Sequence, residues 1–177
     1  MTVTSSRPKG FCYQDLPEPA WPRHEIVDGS LFVTLPGDEA HELVVSRLKA
    51  ALDQAVPEDL SPLIGAAILS RAETDRVLVP DLVVVDAAAV RQAPAGTAVF
   101  LDPKDVHLVV EVISPATRVL DLDFKPHLYA EWDIDSYRVL DPQDRWIYDY
   151  GPRSSADWWE ANSTPPNIWP SRIYSSR

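Results

Sequence analysis

Two apolar runs near the start of the chain flank a strong turn signal. Residues 25–27 and 31–33 are strand-like, and Asp28-Gly29 lies between them. An Asp-Gly pair between apolar runs is typical of the tight turn of a β-hairpin. The sequence therefore predicts a hairpin at this point.

A helix is predicted directly after the hairpin. Apolar side chains recur at helical spacing over residues 44–55, and Pro57 ends the pattern. Asp38 precedes the periodic stretch, where an acidic side chain can cap the first turn.

The rest of the patterned chain is dominated by strands. Residues 63–69, 77–85 and 106–113 are strand-like, and the last two runs are apolar on both faces. Such strands usually lie inside a sheet that is covered on both sides. A second helix is predicted at residues 123–132, and a further strand pair at 137–140 and 146–150, joined by a turn at Asp141-Pro142.

This order of elements predicts an α/β fold in which helices flank a mixed β-sheet. A length of 177 residues fits one domain. We expect an irregular N-terminal lead-in over residues 1–22, a domain over 23–150, and an atypical C-terminal tail over 151–177. Residues 86–105, rich in Ala, Pro and Gly, are expected to connect two strands.

Composition limits the expected cellular location and partners of the protein. Cys12 is the one cysteine, so no disulfide can form within the chain. No apolar run approaches the roughly 20 residues of a membrane helix, and the N-terminus lacks the apolar core of a signal peptide. We therefore expect a cytoplasmic protein without membrane contact. The net charge of −11 argues against broad attraction to nucleic acids.

Two carboxylates lie within the apolar strand-like runs. Asp81 follows Pro80 in one run, and Glu111 lies in another. A lone buried carboxylate is costly, so such groups are paired or bind a cation. On neighbouring strands both can point to one face, which makes a site of hard oxygen ligands for Mg²⁺ or Mn²⁺. For either acid alone, a salt bridge to an arginine is the favoured interpretation; both together, followed by Lys125, favour a site.

At these residues the sequence resembles the Uma-type restriction endonuclease family of the PD-(D/E)XK nuclease superfamily. The resemblance covers residues 24 to about 150, and it depends on the order and spacing of several short motifs. The matching stretches are residues 25–29, His41, residues 80–85, residues 109–118, Asp121, Lys125, residues 128–130 and residues 137–142.

The resemblance implies a restriction-endonuclease-like core with catalytic residues Asp81, Glu111 and Lys125. Asp81 would bind the metal, and Glu111 would be the second carboxylate. The lysine that usually follows that glutamate by two residues is replaced by Ile113, and its role would move to Lys125 in the following helix.

Further positions match the family around the same site. The resemblance implies that Glu25, His41 and Asp121 are accessory residues. From the residues themselves, His41 is equally well explained as a surface or capping histidine. Arg118 could hold a phosphate, or pair with Asp121 or Asp123.

The sequence departs from the family pattern at three places. Pro126 directly follows Lys125, and proline is tolerated only in the first turn of a helix. Arg138 replaces a common aromatic residue, and residues 151–177 do not look like the family's closing strands.

The working hypothesis is a Mg²⁺-dependent endonuclease that hydrolyses phosphodiester bonds of DNA. Asp81, Glu111 and the backbone carbonyl of Val112 would hold Mg²⁺ or Mn²⁺, and Lys125 would position the nucleophile. A homodimer is compatible with this activity, because cutting both strands of a duplex favours two sites. The alternatives are a non-catalytic module of the same fold that binds nucleic acid or protein, and a hydrolase of small phosphorylated substrates.

Overall fold

A computed structural model shows the arrangement of most of the chain. It describes residues 3–6, 10–16, 23–35, 37–71, 75–91, 100–150 and 162–163. The tryptophans of the C-terminal tail, Trp158, Trp159 and Trp169, lie outside the described residues. Within the described ranges, every helix is too short or too polar to cross a lipid bilayer.

The predicted hairpin is present. Strands β2 (Arg23–Val27) and β3 (Ser30–Thr34) pair antiparallel, and both residues of the Asp28-Gly29 turn have positive φ angles. The segment before it is more ordered than the sequence predicts. It contributes strand β1 (Val3–Ser6), which pairs with β3, and a 3₁₀ turn (Tyr13–Asp15).

The first helix begins where the capping signal predicts. Helix α1 (Glu39–Ala55) is capped by the Asp38 side chain, which accepts a hydrogen bond of 2.9 Å from the backbone N–H of His41. Val44 and Val45 are buried on the face that packs against the sheet. Helix α1 thereby places His41 at its first turn, beside the sheet.

Two of the predicted strands are each divided into two, which corrects the sequence-based prediction. Residues 63–69 fall into β4 (Leu60–Ile64) and β5 (Ala67–Arg71), which lie in different sheets. The break is at Gly65, whose φ of 60° directs the chain out of the first sheet.

The second divided run carries Asp81. It forms β6 (Asp75–Leu78) and β7 (Leu82–Asp86), again in different sheets. Pro80 lies in the gap, and a proline cannot donate to a sheet ladder. Asp81 therefore lies at the junction of the two sheets and not within a strand.

The remaining elements follow the prediction more closely. The connecting segment holds a short helix and a short strand, and a π-helical turn (Leu120–Phe124) precedes the second long helix. In chain order the elements are α2 (Ala87–Arg91), β8 (Phe100–Leu101), β9 (Val106–Val112), α3 (Lys125–Glu131), β10 (Ser136–Asp141), β11 (Trp146–Tyr150) and β12 (Asn162–Ser163).

The strands form two mixed six-stranded sheets, where the sequence predicted one sheet. The first has the order β1-β3-β2-β6-β5-β8, and the second has the order β12-β11-β10-β9-β7-β4. In the second sheet β9 runs antiparallel to β7 and parallel to β10. The mixed α/β class with flanking helices is confirmed.

The second sheet is covered on both faces. Leu82 and Val84 of β7 pack with the apolar side chains of α1, whereas Val83 and Val85 face the larger core that includes Tyr129 of α3. Because side chains alternate along a strand, odd-numbered residues of this segment point towards α3. Asp81 is two residues before Val83, so the same alternation directs its side chain towards α3.

Candidate active site

Asp81 and Glu111 lie side by side on the face of the second sheet that packs against α3. Both side chains are almost fully buried. The backbone N–H of Asp81 donates to Glu111 Oε2 over 3.1 Å, and the N–H of Val112 donates to Asp81 Oδ2 over 2.7 Å. The register of β7 and β9, together with the break at Pro80, thus brings the two predicted carboxylates into one cluster.

Lys125 reaches this pair from the first turn of α3. Its ammonium donates to Glu111 Oε1 over 2.7 Å and lies 3.1 Å from Glu25 Oε1 and 3.4 Å from Asp121 Oδ1. Pro126 is the second residue of α3 and follows the π-helical turn, where the carbonyls of Asp121 and Leu122 accept hydrogen bonds from the hydroxyls of Tyr137 and Tyr150. Proline and an inward-pointing Lys125 are therefore compatible.

Glu25 and Asp121 lie within the same cluster. Glu25 Oε1 accepts a hydrogen bond of 2.9 Å from the backbone N–H of Val79, which ties β2 to the end of β6. Asp121 is buried in the π-helical turn, and its backbone carbonyl accepts a 2.7 Å hydrogen bond from the Tyr137 hydroxyl. Both acids are held within reach of Lys125 by backbone contacts.

Arg23 is a member of the cluster that the sequence analysis did not identify. Its Nη2 atom lies 2.7 Å from Asp81 Oδ1, and its Nη1 atom lies 4.0 Å from Glu111 Oε2. The salt bridge between a carboxylate and an arginine, weighed as an alternative, is thus present alongside the cluster. Arg23 is two residues before Glu25 on β2, so the alternation of the strand could have placed both on one face.

His41 is buried against Asp81. Its Nε2 atom lies 3.2 Å from Asp81 Oδ2. Gly37 makes room for the ring, because a Cβ atom at Gly37 would lie 2.3 Å from His41 Nδ1. Neither a surface nor a purely capping role describes His41, since its side chain contacts the carboxylate while its backbone is capped by Asp38.

Tyr129 is a second residue that the sequence did not single out for the site. Its hydroxyl donates to Glu111 Oε1 over 3.3 Å from one turn further along α3. Burial raises the pKa of the Tyr129 hydroxyl well above its usual range, so this group remains a neutral donor.

Burial and charge shift the pKa values of the central groups. Burial raises the pKa of Glu111 well above its usual range, against the opposing effect of the Lys125 ammonium. Burial would lower the pKa of Lys125, but the surrounding carboxylates, Glu111 first, raise it well above the ordinary value. Lys125 is therefore a permanent cation and not a base.

The pKa of Asp81 is shifted in the opposite direction. Burial alone would raise its pKa, but the hydrogen bond with His41 and the charge of Arg23 hold it below the usual range. The pKa of His41 is raised in turn, because its contact with Asp81 outweighs the effect of burial. Asp81 is thus an ionised carboxylate throughout the neutral range.

The remaining candidate, Arg118, lies beside the cluster and not in it. It pairs with Asp141 of β10, and neither Asp121 nor Asp123 is its partner in this pair. Its side chain is 43 % exposed, whereas Asp141 is buried.

The cluster encloses a cavity of about 30 Å³, room for roughly one or two water molecules. A larger cavity of about 650 Å³ lies beside β5 and β8 and shares no lining residue with it. The buried acids with shifted pKa values line the small cavity, and such groups concentrate at functional sites. We therefore place the candidate active site at the small cavity.

Within the described residues, no three or more His, Cys, Asp or Glu side chains are arranged to hold a metal ion together. Two cations, Arg23 and Lys125, lie among the carboxylates of the cluster. The predicted metal ligand Val112 contacts the cluster through its N–H, which donates to Asp81.

Comparison with a solved structure defines the class of the fold. The chain is similar to a crystal structure described as a "putative nuclease belonging to DUF820" from Anabaena variabilis ATCC 29413, with a TM-score of 0.68 and 16 % identity. The match covers 87 % of this chain and 82 % of that one, so the two share a fold.

The sequence defines the family. Residues 12–171 match the model of the Uma2 family, described as "Putative restriction endonuclease", and the chain belongs to this family. The match extends beyond residues 24–150 at both ends, so it includes most of the tail that the sequence analysis considered atypical. No curated protein matches the chain with significant similarity.

Proposed function

We propose that this protein is a divalent-metal-dependent endonuclease that hydrolyses phosphodiester bonds of DNA at Asp81, Glu111 and Lys125. The observation that carries the proposal is the buried cluster at the junction of the two sheets. Membership of the Uma2 family and the nuclease fold of the structural neighbour support the same class of reaction.

The charges of the cluster favour a bound cation. Four buried carboxylates belong to it, and Arg23 and Lys125 are its two permanent cations. With all four acids ionised, two negative charges remain uncompensated, and His41 can offset one of them. Burial raises the pKa values of Glu111 and Asp121, so without a cation a proton on either acid can offset the other. An uncompensated buried charge is costly, so a divalent cation is the natural complement. The four acids are Glu25, Asp81, Glu111 and Asp121.

The donor atoms fit Mg²⁺ or Mn²⁺. Asp81 Oδ1 is buried, and no described residue gives it a well-directed hydrogen bond, although Arg23 lies 2.7 Å away. Mg²⁺ is commonly held by only one or two carboxylates, with water and substrate phosphate as its other ligands. Asp81 and Glu111 would hold the ion, and the carbonyl of Val112 remains a candidate third ligand. When bound, the ion supplies Lewis acidity at the phosphate and at the attacking water.

Lys125 stabilises negative charge in this scheme. Its ammonium is held between Glu111, Glu25 and Asp121, so its position is fixed before substrate arrives. A preorganised cation in a site of low dielectric stabilises the charge that develops on a phosphate during hydrolysis. The raised pKa of Lys125 keeps it protonated in this role.

His41 and Tyr129 are positioning residues. His41 and the N–H of Val112 both contact Asp81 Oδ2, which leaves Oδ1 directed towards Arg23 and the cavity. Tyr129 and Lys125 both donate to Glu111 Oε1. Glu111 Oε2 accepts from the backbone N–H of Asp81, so both oxygens of Glu111 are held in place, whereas Asp81 Oδ1 faces Arg23.

The net charge of −11 favours one competing function, a non-catalytic module of the same fold. A plasmid-nicking assay with and without Mg²⁺ separates the two. We expect that nicking requires Mg²⁺ and is lost on adding EDTA. In Asp81→Ala and Glu111→Ala the nicking activity should fall by at least about 100-fold. Asp53→Ala, an exposed acid on α1, is the control and should retain wild-type activity. Full activity in Asp81→Ala, or no nicking by the wild type, would reject the proposed enzyme.

A further inference from the structure

We infer that Arg23 holds the place of the metal in the metal-free protein and is displaced when the metal binds. This inference rests on the proposed metal site, and it adds a residue whose role nothing in the family resemblance assigned. The inference is based on the carboxylate oxygens that the Arg23 guanidinium faces.

The two central carboxylates each have one oxygen committed to other groups. Asp81 Oδ2 contacts the N–H of Val112 and His41 Nε2, and Glu111 Oε1 accepts from Lys125 and Tyr129. The other two oxygens, Asp81 Oδ1 and Glu111 Oε2, are the ones that the Arg23 guanidinium faces at 2.7 and 4.0 Å. Glu111 Oε2 also accepts one hydrogen bond, of 3.1 Å, from the backbone N–H of Asp81. A cation shared by Asp81 and Glu111 needs these same two oxygens.

The fit of Arg23 to these oxygens is incomplete. Asp81 Oδ1 is close to Arg23 Nη2, yet the described residues provide no well-directed hydrogen bond to it. A good arginine–carboxylate pair is bidentate, with two parallel N–H···O bonds to one carboxylate. Here the second contact of Arg23 is with the other carboxylate, Glu111, and is 4.0 Å long. Arg23 compensates the charge of the pair without satisfying its geometry, which leaves the oxygens available to a better-fitting cation.

The volume of the cavity also favours displacement of Arg23 when a metal binds. The cavity of about 30 Å³ that remains beside the guanidinium holds one or two water-sized species, which is too little for an ion with the several water ligands that Mg²⁺ usually keeps. Arg23 is also the most exposed of the basic residues that line it, with 16 % of its side chain accessible against 10 % for His41 and 6 % for Lys125. Arg23 is therefore the cation best able to swing towards solvent.

The released guanidinium has a second use. Its side chain is the most exposed of the three basic side chains at the cavity, and guanidinium groups bind phosphate oxygens in a bidentate manner. Arg23 thus couples metal binding to phosphate binding: the metal frees the arginine, and the arginine contacts the substrate. The consequence is that Arg23 opposes the metal but assists the reaction.

Calorimetric titration with Mn²⁺ tests the first half of this coupling in the intact protein. Arg23→Gln removes the competing charge, so it should bind Mn²⁺ more tightly than the wild type by about tenfold or more. Arg138→Gln, which removes an exposed arginine paired with Asp149, is the matched control and should bind as the wild type does. The same Arg23→Gln protein should nick plasmid DNA more slowly at saturating Mn²⁺, by about tenfold or more.

Unchanged or weaker Mn²⁺ binding in Arg23→Gln would overturn the displacement of Arg23 and leave the metal site intact. No binding by either protein would overturn the metal site itself, and this inference with it. Should Arg23→Gln not fold, NMR of the wild type decides. The Arg23 Nε–H signal, assigned by its absence in Arg23→Lys, should lose protection from solvent exchange on adding Mg²⁺, and unchanged protection would overturn the inference.

Discussion

Replacing Lys125 by methionine removes the cation on which three buried carboxylates depend. The side chain of Lys125 is 6 % exposed, and its ammonium lies within 3.4 Å of Glu111, Glu25 and Asp121. Breaking a buried ion pair by removing one partner costs about 3–5 kcal/mol, because the other charge is left uncompensated. Methionine preserves most of the volume, so we assign the loss to charge.

The loss should depend on pH. Lys125 has a raised pKa, so it is protonated in both the folded and the unfolded chain below about pH 10.4, and its own ionisation does not change between pH 5 and pH 8. In the variant, Glu111 loses the ammonium that lowers its pKa, and its pKa rises further. A carboxyl with a raised pKa loses stability as pH rises from about 4.3 through its folded value. The penalty should therefore be larger at pH 8 than at pH 5.

Urea unfolding followed by tryptophan fluorescence at both pH values measures this penalty. Lys49→Met is the control, because Lys49 pairs with Asp53 at 2.6 Å on the surface of α1 and should cost only about 0.3–0.5 kcal/mol. A loss in Lys125→Met as small as that of the control, or equal losses at pH 5 and pH 8, would refute the uncompensated-charge reasoning.

Two further variants test the packing around the site. Gly37→Ala should displace His41 from Asp81, because the new Cβ would overlap the ring, and plasmid nicking should fall while the circular dichroism spectrum is kept; wild-type nicking would show that His41 does not position Asp81. Tyr137→Phe removes the buried hydroxyl that donates to the Asp121 carbonyl over 2.7 Å and should lower the free energy of unfolding by about 1–3 kcal/mol; no loss in urea unfolding would contradict this contribution.

The local signals in the sequence predicted much of the fold. The Asp28-Gly29 turn, the Asp38 cap and the apolar periodicity of α1 each act through residues close together in the chain. Interactions of this kind are visible without knowledge of distant partners. The hairpin of β10 and β11 was predictable for the same reason.

The division of two strand-like runs was not predictable from their composition. An apolar run over residues 77–85 shows that its residues are buried, but it does not show which sheet each half joins. That choice depends on pairing partners far away in sequence, β2 for one half and β9 for the other. Pro80 was the local sign of irregularity, and it marks the break.

The site residues that the sequence predicted are those whose residue type is unusual for their surroundings. Asp81 and Glu111 were conspicuous as acids in apolar runs, and the structure brings them together with Lys125. Arg23 and Tyr129 were not conspicuous, because an arginine at a strand end and a tyrosine on a helix are ordinary. Only the long-range packing of β2 and α3 against β9 gives them contacts with the carboxylates.

The most direct test of the metal site is calorimetric titration with Mn²⁺ of the wild type and of Asp81→Ala. A single Mn²⁺ site in the wild type that is lost in Asp81→Ala, while Asp53→Ala binds normally, is the predicted result. Equal binding in the wild type and Asp81→Ala, or no binding in the wild type, would contradict a metal site at Asp81 and Glu111.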